Sequence, residues 1–147
     1  MSMRGNKEIE VGRFFVEIEL SNYDDMAAAR RGDLDPAQVR RVKMRGLVDS
    51  GASRLVLPQA IAKQLGLEST AKVKVRYANG RTSERPLVEG VYLELMGRHS
   101  VFNATVEPKR DTALIGAIVL EDLDFLVDCS KGRLYPRDPD FVVSEVG

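Results

Sequence analysis

A carboxylate set between two apolar runs constrains this chain more than any other feature. Val48-Asp49-Ser50-Gly51-Ala52 is entered from Leu47-Val48 and left through Ser53-Arg54-Leu55-Val56-Leu57-Pro58. Asp-Ser-Gly alone is ordinary turn chemistry: Asp bonds its own backbone, Ser does so more weakly, and Gly takes positive φ. A solvent turn is seldom bracketed by apolar residues on both sides, whereas a loop pinned inside a core has to be. The pattern therefore places Asp49 at the tip of a loop leaving a buried strand. The Ser50 hydroxyl stands beside it, and Gly51 leaves room for close backbone approach. Pro58 then opens a helix whose apolar stripe is Ala60, Ile61 and Leu65 and whose left-handed stop is Gly66. The unit reads as strand, acidic loop, strand, short helix.

A second copy lies downstream. In Thr112-Ala113-Leu114-Ile115-Gly116-Ala117, apolar residues again lead into Gly-Ala, and a helical stretch follows through Val119, Leu120 and Leu123. Laid over residues 47–52 with the Gly-Ala pairs in register, it suggests a pseudo-twofold arrangement in which only the first arm carries an acid. Between the two arms, residues 72–77 and 82–95 flank Asn79-Gly80, a strong hairpin signal. Upstream, residues 14–20 alternate apolar with acidic side chains, as a half-buried strand does. Residues 21–38 then read as a surface insertion, with a helical turn at 26–30, marked by Asn22, Asp24, Asp25, Gly32, Asp33 and Asp35-Pro36. A strand over 39–48 puts Arg41, Lys43 and Arg45 on one face and Val42 and Met44 on the other. Residues 125–128 and 133–136 form a last hairpin, and 137–147 are a C-terminal tail that supplies an interface strand or stays loose.

Composition narrows the function. Lys plus Arg equals Asp plus Glu at 22 each in 147 residues, so no overall field draws the protein to nucleic acid or to an anionic membrane. The basic face at Arg41, Lys43 and Arg45 lacks interleaved aromatics and reads as the solvated side of a strand. His99 is the one histidine and Cys129 the one thiol, so neither a zinc site nor a Cys-His nucleophile pair is expected within one chain. No metal and no cofactor is called for. Ser50 and Ser53 lack a base, His99 being assigned to a hairpin turn, which makes serine hydrolysis a poor second. No apolar stretch approaches the roughly 18 residues of a membrane helix. The polar start, Met1 to Lys7, is unlike a signal peptide, and the single Cys129 suits a reducing compartment. A cytoplasmic location is the expectation.

With these residues in view, the chain resembles the retropepsin-like aspartic proteases, through Val48-Asp49-Ser50-Gly51-Ala52, Leu114-Ile115-Gly116 and the hairpin between them, over about 11–136. The resemblance implies a mainly β, single-domain acid protease fold with one or two short helices. It also implies Asp49, Ser50 and Gly51 as the catalytic loop, the tip Ala78-Asn79-Gly80 as a flap, and Ala52, Ala78, Asn79, Gly80, Ile115 and Gly116 on the substrate's side. Two departures mark this chain. Retroviral enzymes carry Arg directly after the second-loop Gly, where Ala117 stands here, and their flap tip is a run of glycines. A relative of bacterial type is expected rather than a viral enzyme. Because the chemistry needs two carboxylates and position 115 is Ile, the second acid has to come from another subunit. The expected assembly is a homodimer with an Asp49 from each chain on the twofold axis, acting on a polypeptide. The rival reading is a non-catalytic dimeric peptide-binding or interaction module on the same fold.

Overall fold

The computed structural model describes residues 9–10, 13–142, 144 and 146–147. Strands β1 (Ile9–Glu10) and β2 (Arg13–Asn22) lead into helix α1 (Tyr23–Arg30). Then come β3 (Arg41–Asp49), β4 (Leu55–Pro58), α2 (Gln59–Gln64), β5 (Ser69–Arg76), β6 (Thr82–Leu95) and β7 (Arg98–Glu107). The chain closes with β8 (Ala113–Ile115), α3 (Ala117–Asp122), β9 (Phe125–Asp128) and β10 (Arg133–Pro136). Eight strands form one sheet in the order β1-β2-β3-β8-β4-β7-β6-β5, and β9 and β10 form a sheet of their own. The fold is mainly β, as expected, and the described residues hold three short α-helices and a 3-10 turn at Pro36–Gln38 where one or two helices were expected.

The large sheet rolls back on itself because β2 pairs with both β3 and β6, for example Leu20 with Val42 and with Leu93. Strand β6 can serve two ends of the molecule because it bends. Its register with β7 shifts between Val88 and Val91, and Gly90 there takes the left-handed φ of +75°. Its first half forms a hairpin with β5, and its second half closes the barrel. The interior is filled by Phe14, Ile18, Leu20, Val48, Leu57, Val91, Leu93 and Ile115, all buried. On the outside, the register sets Glu17 opposite Arg45 and Glu19 opposite Lys43, so the basic face of β3 lies across from an acidic one.

Several boundaries differ from the sequence reading. The surface excursion begins at Tyr23, because Ser21 and Asn22 are buried members of β2. Asn22 holds three elements at once: its side-chain Oδ1 accepts from the Asp25 N–H as the α1 cap, its side-chain Nδ2 donates to the Leu65 carbonyl after α2, and its backbone N–H donates to the Arg40 carbonyl. In α2 the buried stripe is Ala62 and Leu65 with Ile61 beside them, while Ala60 is exposed. The helix ends in a Schellman motif, Leu67 N–H to Ala62 O and Gly66 N–H to Lys63 O, with Gly66 at φ +68°. His99 lies within β7, stacked on Tyr92, and not in the turn.

Two arginines close the structure. Arg98 is buried and donates to the carbonyls of Leu123, Asp124 and Asp138, with Phe125 and Phe141 against its guanidinium. It thereby ties the start of β7 to the end of α3 and to the first residues of the tail. No strand follows residue 136 among the described residues. Arg40 clasps the excursion: its Nε and Nη2 and its backbone N–H all donate to the Asp25 carboxylate, at 2.8, 3.0 and 3.0 Å. These hydrogen bonds hold the Asp25 carboxyl below its ordinary value, burial acting in the opposite sense. A depressed carboxyl contributes stability above the unfolded-state value of about 3.9 and loses it as pH falls through the folded value. Asp25→Asn is therefore less stable than wild type near neutrality, and the gap closes below about pH 4. Urea midpoints of both proteins between pH 3 and pH 7 check this; a gap constant across that range would dissociate Asp25 from the acid limb.

Candidate functional site

Strand β3 pairs in parallel with β8, Val48 against Ile115, so the loop after β3 and the turn after β8 emerge side by side. The join is close. A Cβ at Gly116 would lie 2.6 Å from the Arg54 carbonyl oxygen, 2.7 Å from the Arg54 nitrogen and 2.8 Å from the Ala52 oxygen. With no side chain there, the first N–H groups of α3 reach the loop: Ala117 donates to Ala52 O at 2.8 Å and Ile118 to Ser53 O at 3.0 Å. Two donors that a helix start always leaves without intrahelical partners are thus spent on fixing the loop.

On that base, Asp49 ends β3 with its side chain about 25% exposed. Its Oδ1 accepts from the Gly51 N–H at 3.0 Å, its backbone carbonyl accepts from Ala52 at 3.0 Å, and Arg13 Nε lies 3.6 Å from Oδ2. The turn chemistry of Asp is therefore present, whereas Gly51 is not in the left-handed region. Its service is room: a Cβ at Gly51 would meet Asp49 Oδ1 at 3.3 Å.

Asp49 opens into a cleft of about 960 Å³. The floor is Gly51, Ala52, Ser53, Val56, Thr105 and Leu114, and the roof is residues 73–78 of the β5–β6 hairpin. Of the residues expected at a site, Asp49, Gly51, Ala52 and Ala78 line this cleft. Ser50 is exposed beside it, and Asn79 and Gly80 form the exposed tip, closed by Gly80 N–H to Tyr77 O. Ile115 and Gly116, expected on the substrate's side, are buried beneath the loop, Ile115 in the core and Gly116 against the loop backbone. They support the site from below because successive side chains of a strand alternate, so that Leu114 meets the cleft and Ile115 the core.

No motif in the chain announces the group that steadies the hairpin. Tyr77 donates its hydroxyl to Glu107 Oε2 at 2.6 Å, and Arg85 Nε donates to Glu107 Oε1 at 2.9 Å. Burial, then the Glu107 hydrogen bond and charge, raises the Tyr77 hydroxyl above its ordinary value, keeping it a donor. Glu107 stands 30 residues from Tyr77 and 22 from Arg85, and the three carry no local motif; the paired strands bring them together. Among the described residues no group of three or more His, Cys, Asp or Glu could hold a metal ion, and no helix is long and apolar enough to cross a membrane.

A family model described as gag-polyprotein putative aspartyl protease matches residues 36–122, a stretch that contains β3, the acid loop, the hairpin, β8 and α3. The solution structure of simian foamy virus (mac) protease matches with a TM-score of 0.47 and 16% identity, over 74% of this chain and 93% of that one. No curated protein matches the chain.

The loop's dependence on position 116 is open to test. Gly116→Ala forces a methyl group into backbone and is expected to cost about 1–3 kcal/mol of stability. Chemical denaturation measures that cost. Amide exchange at Ala117 and Ile118 should accelerate with it, and a variant as stable as wild type would mean that the loop yields.

Proposed function

We propose that this chain, which belongs to the gag-polyprotein putative aspartyl protease family, is an aspartic endopeptidase that works as a homodimer with one Asp49 from each subunit. One observation carries the reading: a partly exposed carboxylate on a loop fixed from below, at the floor of an open cleft. The other carboxylate lining that cleft is Glu107, and both its oxygens are engaged, by Tyr77 and Arg85. A second reacting acid is therefore sought in another copy of the chain, and a symmetric pair supplies it.

In that arrangement the two Asp49 carboxylates share one proton, a coupling for which aspartic proteases are the standing example. The ionised member takes a proton from a bound water as its oxygen attacks the peptide carbonyl carbon. The protonated member donates to the carbonyl oxygen. Collapse of the tetrahedral species breaks the C–N bond, with a proton passing to the leaving nitrogen. Arg13 sets a positive charge beside the ionised form. Ser50 supports the pair by hydrogen bonds across the axis, and Ala78, Asn79 and Gly80 close over the substrate. Ile115 and Gly116 hold the floor. Ala117 in place of an Arg favours a relative of bacterial type, and the location proposed is cytoplasmic.

Asp49→Asn keeps the acceptor that Gly51 uses and removes the base. Cleavage of unfolded casein is expected to fall by about 10²–10⁴-fold or more, with melting and sedimentation unchanged. Wild-type cleavage by Asp49→Asn would end the aspartic mechanism. Specific activity should also fall on dilution, since dissociation halves each site. Activity per chain that stays constant down to concentrations where sedimentation finds only monomer would exclude the shared site.

A further inference from the structure

We infer that the cleft takes polypeptide segments in which apolar residues alternate with acidic ones, a reading of substrate class that rests on the peptide cleft proposed above. Among the described residues, strand β5 is the edge of the large sheet and pairs only with β6. Residues 73–76 of that strand line the cleft, so an extended peptide there adds as a further strand. The register sorts what such a peptide meets. Val73 lies opposite Arg85 and Val75 opposite Ser83, and this face turns inward, since Arg85 reaches Glu107. The other face carries Lys72, Lys74 and Arg76, all exposed, opposite Pro86, Glu84 and Thr82. Glu84 is the one acid across from the three cations.

A strand added at the free edge continues both faces. Every second side chain of the peptide faces Val56, Val73, Val75 and Leu114, and those between lie beside Lys74 and Arg76. Opposite charges in such cross-strand positions are favourable and like charges are not. The remaining cations of the cleft, Arg54, Lys109 and Arg110, add to the same sign. Its carboxylates do not offset them, Asp49 being the reacting group and Glu107 engaged by Arg85 and Tyr77. With 22 cationic and 22 anionic residues in the whole chain, this excess is local to the cleft. The protein's own sheet already contains such a pairing: Val16-Glu17-Ile18-Glu19-Leu20 runs along β3 with Glu17 and Glu19 opposite Arg45 and Lys43.

The experiment uses labelled peptides of one length with Val or Leu at alternate positions and Glu, Gln or Lys between them, plus a Glu peptide of the same composition with its acids in one block. Binding to Asp49→Asn is read by fluorescence anisotropy, and cleavage by the wild-type protein as kcat/KM. The order expected in both is Glu, Gln, Lys, with on the order of tenfold between the extremes at low salt and less at high salt. The blocked peptide should fall behind the alternating one. In the protein carrying Lys74→Glu and Arg76→Glu the order should reverse. Equal binding and cleavage of the three peptides would overturn the inference, and so would an order that survives the double substitution. Binding in the expected order without cleavage by wild type upholds the inference and overturns proteolysis. Cleavage without any order does the opposite, and neither binding nor cleavage of any peptide overturns both.

Discussion

Two backbone hydrogen bonds, from Ala117 to Ala52 and from Ile118 to Ser53, join the start of the last sheet-bound helix to the loop that carries Asp49. They exist because position 116 has no side chain, and any Cβ there would lie under 3 Å from the backbone of Arg54 and Ala52. The topology follows from the same constraint. Strand β8 has to sit between β3 and β4, parallel to the first, for its turn to arrive under the loop. A carboxylate at a strand end is otherwise free to swing. Here its own turn, the helix start and the neighbouring strand each remove a degree of freedom.

The opposite wall is built differently. The hairpin over the cleft is steadied through side chains, by Tyr77 and Arg85 converging on Glu107. A floor fixed by backbone and a roof fixed by side chains differ in what holds them. Backbone bonds inside a packed body open with the body, whereas a phenol, a guanidinium and a carboxylate near the surface exchange with water locally. The molecule therefore holds its acid loop through backbone and its hairpin through three side chains.

Much of this was legible in the chain because it was written locally. The apolar flanks of Asp49, the Asn79-Gly80 pair, the Pro58 and Gly66 helix punctuation and the last hairpin are all short-range signals. The structure carries each of them, with Gly80 in the left-handed region and β9 and β10 at residues 125–128 and 133–136. What failed to show depends on distance. Asn22 looked like the first residue of a surface loop because its polar side chain suits one, yet its partners are at Asp25, Arg40 and Leu65. Ala60 and Ala62 are indistinguishable by type, and only the neighbouring strand decides which is buried. Ile115 and Gly116 belong to a motif associated with a site, yet strand alternation puts Ile115 in the core and Gly116 packs against the backbone of Ala52 and Arg54. Tyr77, Arg85 and Glu107 have no spacing that could have announced them.

The edge of β5, which no described residue pairs, has a consequence outside any reaction. An exposed strand edge is a template on which another molecule's edge can zip, and proteins survive in concentrated solution by making such edges unattractive to their own kind. Lys72, Lys74 and Arg76 recur at every second position of this strand. Two copies brought edge to edge would set cation against cation, whereas a chain of opposite charge would meet no such resistance. One row of three side chains thereby guards the protein against growing into an aggregate of itself while leaving the edge open to something unlike it.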